Sequence, residues 1–358
     1  MSFLDGPADK GDDREGASQS PVEDATAAPA PPRGRRWRRA TRLVGLAVAI
    51  GLVFGIGGGS AALWLRGRSL EQNIGRVDPF AGMREGDRPT AAASVGENYL
   101  VVGLDTPPGE EAAGSRTDTI ILVHISEDRR DSHLISIPRD TWASVPSAAT
   151  EADGGKAKIN SAYAFGGTPL LVATVESFTG VRIDHVVLLD FAGFEKVIDA
   201  LDGVTVSVQE EFATARHRYT KGTWHMDGET ALDFARQRSP FQDGDFTRIR
   251  HQQEVFRAVL QRATDRGLLA NPAKLNEFLN AVTGAVTVDR DLPLFGTIWN
   301  LRHLKPGQVV AITSPTARTG FVGDQSVVFP DEKAASELFS AVRTDTVGAW
   351  LEAHPQTD

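Results

Sequence analysis

The sequence predicts a single α/β (α+β) domain, a central mixed β-sheet flanked by helices, preceded by one transmembrane helix. Three observations predict it. From Glu97 onward, short apolar runs rich in β-branched residues alternate with segments of helical spacing. Those runs are apolar along most of their length, as expected of strands covered on both faces rather than one. A charge-free stretch, Leu43 to Leu65, stands apart from the rest.

In chain order, residues 1–42 are rich in Ala, Pro, Gly, Asp and Glu and end in a block holding Arg33, Arg35, Arg36, Arg38, Arg39 and Arg42. Such a segment buries too little apolar surface to offset its ordering entropy and is predicted to be a disordered leader with a basic flank. The stretch LVGLAVAIGLVFGIGGGSAALWL, residues 43–65, would span roughly 34 Å as a helix, enough to cross a bilayer. The Gly-rich run Gly55 to Ser60 would weaken a soluble core helix. A cleaved signal peptide is the rival reading, since GGSAA resembles a small-residue cleavage region, but the leader and apolar stretch are longer than usual for one. The arginines before the span outnumber Arg66 and Arg68 after it, so the N-terminus is predicted to be cytoplasmic and the rest extracytoplasmic: a single-pass cell-membrane protein. Residues 66–95 are read as a linker, 96–345 as the folded domain and 346–358 as a C-terminal tail.

Within the domain, Asn98 to Asp105, Asp118 to Ser126, His133 to Pro138 and His185 to Asp190 read as strands, followed by Val204 to Val208 and Val309 to Thr313. Pro169 to Thr179, Ala192 to Leu201, Gly228 to Arg236 and Arg248 to Arg266 read as helices.

Composition narrows the chemistry. A net charge of −9 argues against general nucleic-acid binding, while leaving room for a local basic pocket. With no cysteine, disulfides, thiolate metal sites and cysteine nucleophiles are excluded. No GxxxxGK[ST] loop, HExxH or GxSxG occurs, and the glycines of Gly55 to Gly59 fall in the apolar span. His124, His133 and His185 lie in strand patterns and are expected to be packed.

Two groups of residues remain. Asp105 closes the first strand, Arg116 and Asp118 open the second, and Arg139 with Asp140 follow the third, so their positions at strand ends direct them to one crevice. Each alone could be a turn cap or a surface pair. The run ALDFARQRSPFQDGDFTRIRHQQEVFRAVL then places Arg236, Arg238, Arg248, Arg250 and Gln252 close together. Arg236 and Arg238 share a face if extended, and Arg248 and Gln252 share a helix face. Guanidinium forks suit a diphosphate, although Asp243 and Asp245 could instead pair with these arginines on a solvated face. Asp105 and Asp118 would suit Mg²⁺, with Mn²⁺ as an alternative, completed by phosphate oxygens.

Taken in order, NYLVVGLDT, RTDTIILVHI, ISIPRDT, KINSAYAFGG, the DFAGF and LDGV stretch, ALDFARQR and GDFTRIRHQQ resemble the LytR-CpsA-Psr family of cell-wall glycopolymer transferases, actinobacterial type. The resemblance runs from about Asn98 to Asp345. It implies a phosphotransferase whose donor is a polyprenyl diphosphate-linked glycan, its lipid tail between sheet and helices, and whose acceptor is a peptidoglycan hydroxyl. It further implies that Asp105 and Asp118 are Mg²⁺-associated acids and catalytic, together with Arg116 and Arg139. Lys158, Arg236, Arg238, Arg248 and Gln252 join Arg116 and Arg139 as diphosphate-binding residues. His251 departs from the pattern, standing where relatives often carry arginine, and the additional C-terminal domain of some actinobacterial relatives is not expected. A diphosphatase using water as acceptor, or a non-catalytic envelope regulator, are the alternatives.

Overall fold

The computed structural model describes residues 74–90, 96–104, 117–146, 155–238, 241, 244–263, 266–269, 271–293 and 308–355. The predicted leader and membrane span lie outside the described residues, as do Asp105 and Arg116. Among the described residues no helix is long and apolar enough to cross a membrane.

The strands are β1 (Gly75–Val77), β2 (Glu97–Leu104), β3 (Thr117–Ile125), β4 (Ser132–Ile137), β5 (Trp142–Ser144), β6 (Lys156–Lys158), β7 (His185–Asp190), β8 (Val204–Val208), β9 (Phe212–Ala213), β10 (Arg218–Tyr219), β11 (Gly222–Met226), β12 (Val286–Asp289), β13 (Val309–Thr313), β14 (Thr316–Val322) and β15 (Gln325–Pro330). The helices are α1 (Ser161–Thr179), α2 (Phe191–Ala200), α3 (Gly228–Ala235), α4 (Gly244–Ala263), α5 (Arg266–Leu269), α6 (Pro272–Thr283), α7 (Glu332–Arg343) and α8 (Val347–Ala353).

Seven strands form the central sheet in the order β1-β12-β7-β2-β3-β4-β13. It is mixed: β3 is antiparallel to both β2 and β4, whereas β7 runs parallel to β2 and β13 parallel to β4. Alternating side chains divide between two cores, which is why these strands read as unbroken apolar runs. Tyr99, Val101, Ile121 and Val123 pack with α2, α3, α4 and α6, while Leu100, Val102, Ile120 and Leu122 pack with α1 and α7. At one end of the sheet, called here the upper end, β2, β4, β7 and β13 finish and β3 begins.

The predicted strands and helices are present to within a few residues, with two informative differences. Helix α1 begins at Ser161, earlier than expected, but Gly166 and Gly167 depart from helical geometry just before Pro169. The segment recognised in the sequence is the regular part after this kink. Strand β8 is outside the main sheet, paired with β11.

Part of the segment read as linker belongs to the fold. Strand β1 pairs with β12 at the sheet edge, and Arg88 is anchored on α1. Arg88 Nη2 donates to Glu176 Oε1 at 2.7 Å and to the Ile183 carbonyl at 2.6 Å, while Ile183 N donates back to Glu176 at 2.9 Å. Likewise, part of the segment read as tail forms α8. Both Arg88 and Glu176 side chains are buried, so Arg88→Ala would strand a buried carboxylate. Chemical denaturation should show a loss of about 3–5 kcal/mol.

The lower end of the sheet carries a second polar group. His124 contacts Asn98 and Asp345, each at 2.9 Å, and stacks on His133 with centroids 6.2 Å apart. Burial pushes His133 down to about 4, with the neighbouring His124 acting in the same direction. Unfolded, the same imidazole titrates at 6.5, so between pH 6.5 and 4 the unfolded chain binds the extra proton and stability falls as pH falls. The contribution is on the order of 3 kcal/mol. Comparing pH-dependent denaturation of the wild type with His133→Leu should show a flatter slope in the variant across that window.

Candidate functional site

The site is assembled at the upper end from three separate parts of the chain. Asp118 is the second residue of β3, where the register with β2 shifts: Gly103 pairs with Thr119 but Leu104 pairs with Thr117. Asp118 is therefore the extra residue of a β-bulge, a device that re-aims a side chain at a strand end. Asp105 and Arg116 flank the Leu104–Thr117 pair in the chain but lie outside the described residues.

Arg139 and Asp140 form the turn after β4. Thr141 fixes it by donating its backbone N and its Oγ1 to the Pro138 carbonyl at 2.9 and 2.6 Å. The backbone N of Asn160 donates to the Arg139 carbonyl at 3.2 Å, which brings Lys158 and the start of α1 against the same turn. Arg238 follows α3, and Asp245 and Arg248 sit on the first turns of α4. Gly244 permits this approach, since a Cβ there would lie 2.6 Å from the Arg238 carbonyl.

These groups interlock. Arg139 pairs with Asp118 through Nη1 and Oδ1, and its Nε lies 3.6 Å from Asp140 and 3.8 Å from Asp245. Arg238 reaches Asp118 at 3.8 Å and Asp245 at 3.4 Å. Arg248 meets Asp245 at 3.0 Å, and Lys158 meets Asp140 at 3.0 Å. Three carboxylates thus face four cations, leaving one positive charge in excess among the described members.

Arg248 is the most telling of them. Its side chain is 1% exposed, yet Nε and Nη1 are buried without a hydrogen-bond partner among the described residues, as is Nε of Arg139. Native proteins rarely leave buried guanidinium donors unpaired, and a water, an ion or a ligand is what completes them. Burial, opposed by Asp245 and assisted by Arg238 and Arg139, lowers Arg248 to about 10. Burial, with Arg139 adding to it, also lowers Arg238. Burial acts against the charged form of Arg139 as well, but Asp118, Asp245 and Asp140 outweigh it and raise its pKa. A polyanion entering here would relieve the repulsion among the cations and satisfy the open donors.

Of the remaining predicted residues, Gln252 is buried one helical turn beyond Arg248. Arg236 caps the C-terminus of α3 and lies within electrostatic reach of Glu195 on α2. His251 is packed among rings: it stacks on Phe234 at 4.2 Å and on Phe212 at 5.2 Å, and its Nδ1 lies 3.2 Å from the Phe234 carbonyl. Its aromatic neighbours give this position a packing role. Sequence reasoning treated Asp245 as a rival partner that would neutralise the arginines; it lies among them as their shared counter-ion, and its i,i+3 spacing to Arg248 was the available signal.

Among the described residues no group of three or more His, Asp or Glu could by itself hold a metal ion. The donor chemistry does fit a hard cation completed by an anionic ligand, because Asp118 supplies a carboxylate beside guanidinium groups of the kind that pair with phosphate, and Mg²⁺ takes one or two such ligands plus phosphate oxygens.

Residues 76–344 match the model of the LytR_cpsA_psr family. Over 315 residues the chain is 31% identical to the probable cell wall biosynthesis protein LcpB of Corynebacterium glutamicum, covering 83% of this chain and 69% of that protein. Over 285 residues it is 27% identical to the polyisoprenyl-teichoic acid-peptidoglycan teichoic acid transferase TagU of Bacillus subtilis, covering 75% of this chain and 83% of TagU. Among solved structures, that of B. subtilis TagV superposes with a TM-score of 0.59 at 25% identity, covering 71% of this chain and 98% of TagV.

Proposed function

The chain belongs to the LytR-CpsA-Psr family, and on that premise we propose that it is a membrane-anchored phosphotransferase linking a polyprenyl diphosphate-borne glycopolymer to peptidoglycan by a phosphodiester bond. The name of TagU supports wall-polymer transfer as the class of reaction, and that of LcpB supports a role in cell wall biosynthesis. The observation that carries the diphosphate is the buried Arg248 with two open donors beside Arg139 and Arg238. The open Nε and Nη1 of Arg248 and Nε of Arg139 call for an anion with several acceptor oxygens; a diphosphate supplies them, whereas a neutral sugar brings no charge and a single carboxylate only two oxygens.

In this reading Arg139, Arg238 and Arg248, with Lys158 at the margin and Arg116 and Gln252 as further members, hold the two phosphates. The acceptor hydroxyl attacks the phosphorus nearest the sugar. The bond from that phosphorus to the bridging oxygen breaks, polyprenyl phosphate leaves with the electron pair, and the hydroxyl proton passes to a carboxylate of the Asp105 and Asp118 pair. The guanidinium groups stabilise the charge that grows on the leaving phosphate, which is where catalytic power resides in phosphoryl transfer. Asp118 and Asp105 would hold Mg²⁺, which when bound neutralises charge on the phosphate oxygens. The anchor is assigned to residues 43–65, placing the site outside the cell.

The test mixes the full chain, lipid-linked glycan, Mg²⁺ and peptidoglycan oligomers. The expected products are glycan covalently joined to muropeptide and polyprenyl monophosphate. Free glycan phosphate as the sole glycan product would instead identify a hydrolase that uses water as acceptor.

A further inference from the structure

Strand β1 enters the sheet from the upper end. It pairs parallel with β12, β12 is antiparallel to β7, and β7 is parallel to β2, so β1 runs against β2 and starts where β2 finishes. The chain arriving from the apolar span therefore reaches the domain on the side of the phosphate site. Between Leu65 and Ile74 it can extend at most roughly 30 Å.

The two large hydrophobic side chains left exposed among the described residues are at this same end. Phe165, 59% exposed, is the fifth residue of α1, about 7 Å along the helix from the start, which is bonded to the Arg139 turn. Phe321, 74% exposed, is on the β14–β15 hairpin. That hairpin leaves β13 where Ser314 N donates to Ser136 at 2.8 Å, and it is joined to the site by Val328 N donating to the Asp140 carbonyl at 2.9 Å. The bridge between Thr141 and Val328 is parallel, so the residues leading to the tip run on the side of Asp140. Phe321 pairs with Ser326, about 7 Å beyond Val328. On the same hairpin, exposed Arg318 stacks over Phe329 at 4.0 Å, an aromatic–cation pairing suited to a lipid headgroup region.

We propose that the upper end of the domain rests on the outer face of the membrane, with Phe165 and the Phe321 hairpin inserted at the lipid interface, so that the arginine cluster faces the plane in which lipid-borne diphosphates lie. The inference rests on the anchor assigned above. A tether of at most roughly 30 Å keeps the end where β1 starts near the bilayer, and exposed apolar side chains at that end are the interfacial contacts such a placement requires.

The chain has no cysteine, which makes single-site labelling direct. Val322→Cys and, at the opposite end, Arg130→Cys in the β3–β4 turn would each carry an environment-sensitive fluorophore. The full chain would be placed in phosphatidylcholine–phosphatidylglycerol vesicles. The label at 322 is expected to shift to the blue and to be quenched by nitroxide-bearing lipid, the label at 130 to stay in water, and Phe165→Ser with Phe321→Ser to abolish the shift without preventing flotation with vesicles. A chain that floats while its label at 322 is quenched only by aqueous iodide overturns the inference and leaves the anchor standing. Protection of that label solely on adding peptidoglycan oligomers overturns it in favour of an acceptor contact. Failure to float overturns the anchor, and this placement with it.

Discussion

Arg248→Lys is expected to leave the domain folded and to lower the rate of glycan transfer about 10²–10³-fold, the usual loss when one preorganised donor to a developing oxyanion is removed. The substitution keeps a cation opposite the half-buried Asp245, which Arg248 meets at 3.0 Å, so that carboxylate retains its partner. What it removes is the fork: a lysine has no counterpart to the Nε and Nη1 donors, buried and without a partner among the described residues. Burial already lowers the guanidinium at this position to about 10, and an ammonium starts from about 10.4, so the same burial would carry lysine closer to neutrality. Arg248→Ala should behave differently, destabilising the domain as well, because it empties the space of a side chain that is 1% exposed. Single-turnover transfer measured beside thermal denaturation separates the two effects. Stabilisation by inorganic pyrophosphate should be present in the wild type and weakened in Arg248→Lys, since only a folded-state ligand raises the melting temperature. Unchanged transfer in Arg248→Lys would remove Arg248 from the diphosphate site.

The extent to which this could be read from sequence followed burial and chain distance. Strands β2, β3, β4 and β7 are covered on both faces, so their β-branched runs announce themselves and their ends fell within a few residues. Strands β1 and β12 are three and four residues long, and GRV and VTVD carry too few apolar side chains to register; they are strands because neighbouring strands supply the ladder. For the same reason a linker drawn to residue 95 took in β1 and Arg88, whose burial depends on Glu176 far along the chain. The arginine run was visible as composition and spacing, but the choice between a phosphate pocket and a self-neutralised helix face was not. Bringing the run against the strand-end residues depends on the β3 bulge at Asp118 and on the close seating of Gly244 on Arg238, both properties of packing. His251 shows the converse: the family resemblance marked it only as a departure from an arginine position, whereas its environment of Phe212, Phe234 and Phe241 makes it part of the aromatic core.

Arg139→Ala should produce the deeper functional loss, about 10³-fold or more in kcat/KM, comparable to removing an arginine that faces the transferring phosphoryl group. Arg139 lies among Asp118, Asp140 and Asp245, so its removal does more than subtract a phosphate ligand. The described members of the cluster would fall from one positive charge in excess to none, and three carboxylates would face the incoming diphosphate with their shared cation gone. Part of the loss should therefore be recoverable. Asp118→Asn removes one of those carboxylates, and in the Arg139→Ala background it should cost much less than it does alone, where it takes away the acid and leaves Arg139 and Arg238 short of a partner. A double-mutant cycle on transfer, run at fixed Mg²⁺, gives the coupling directly. Strongly sub-additive losses would mean that Asp118 and Arg139 act as one electrostatic unit in binding the donor. Additive losses would mean that their ion pair is incidental to catalysis and that each meets the substrate independently.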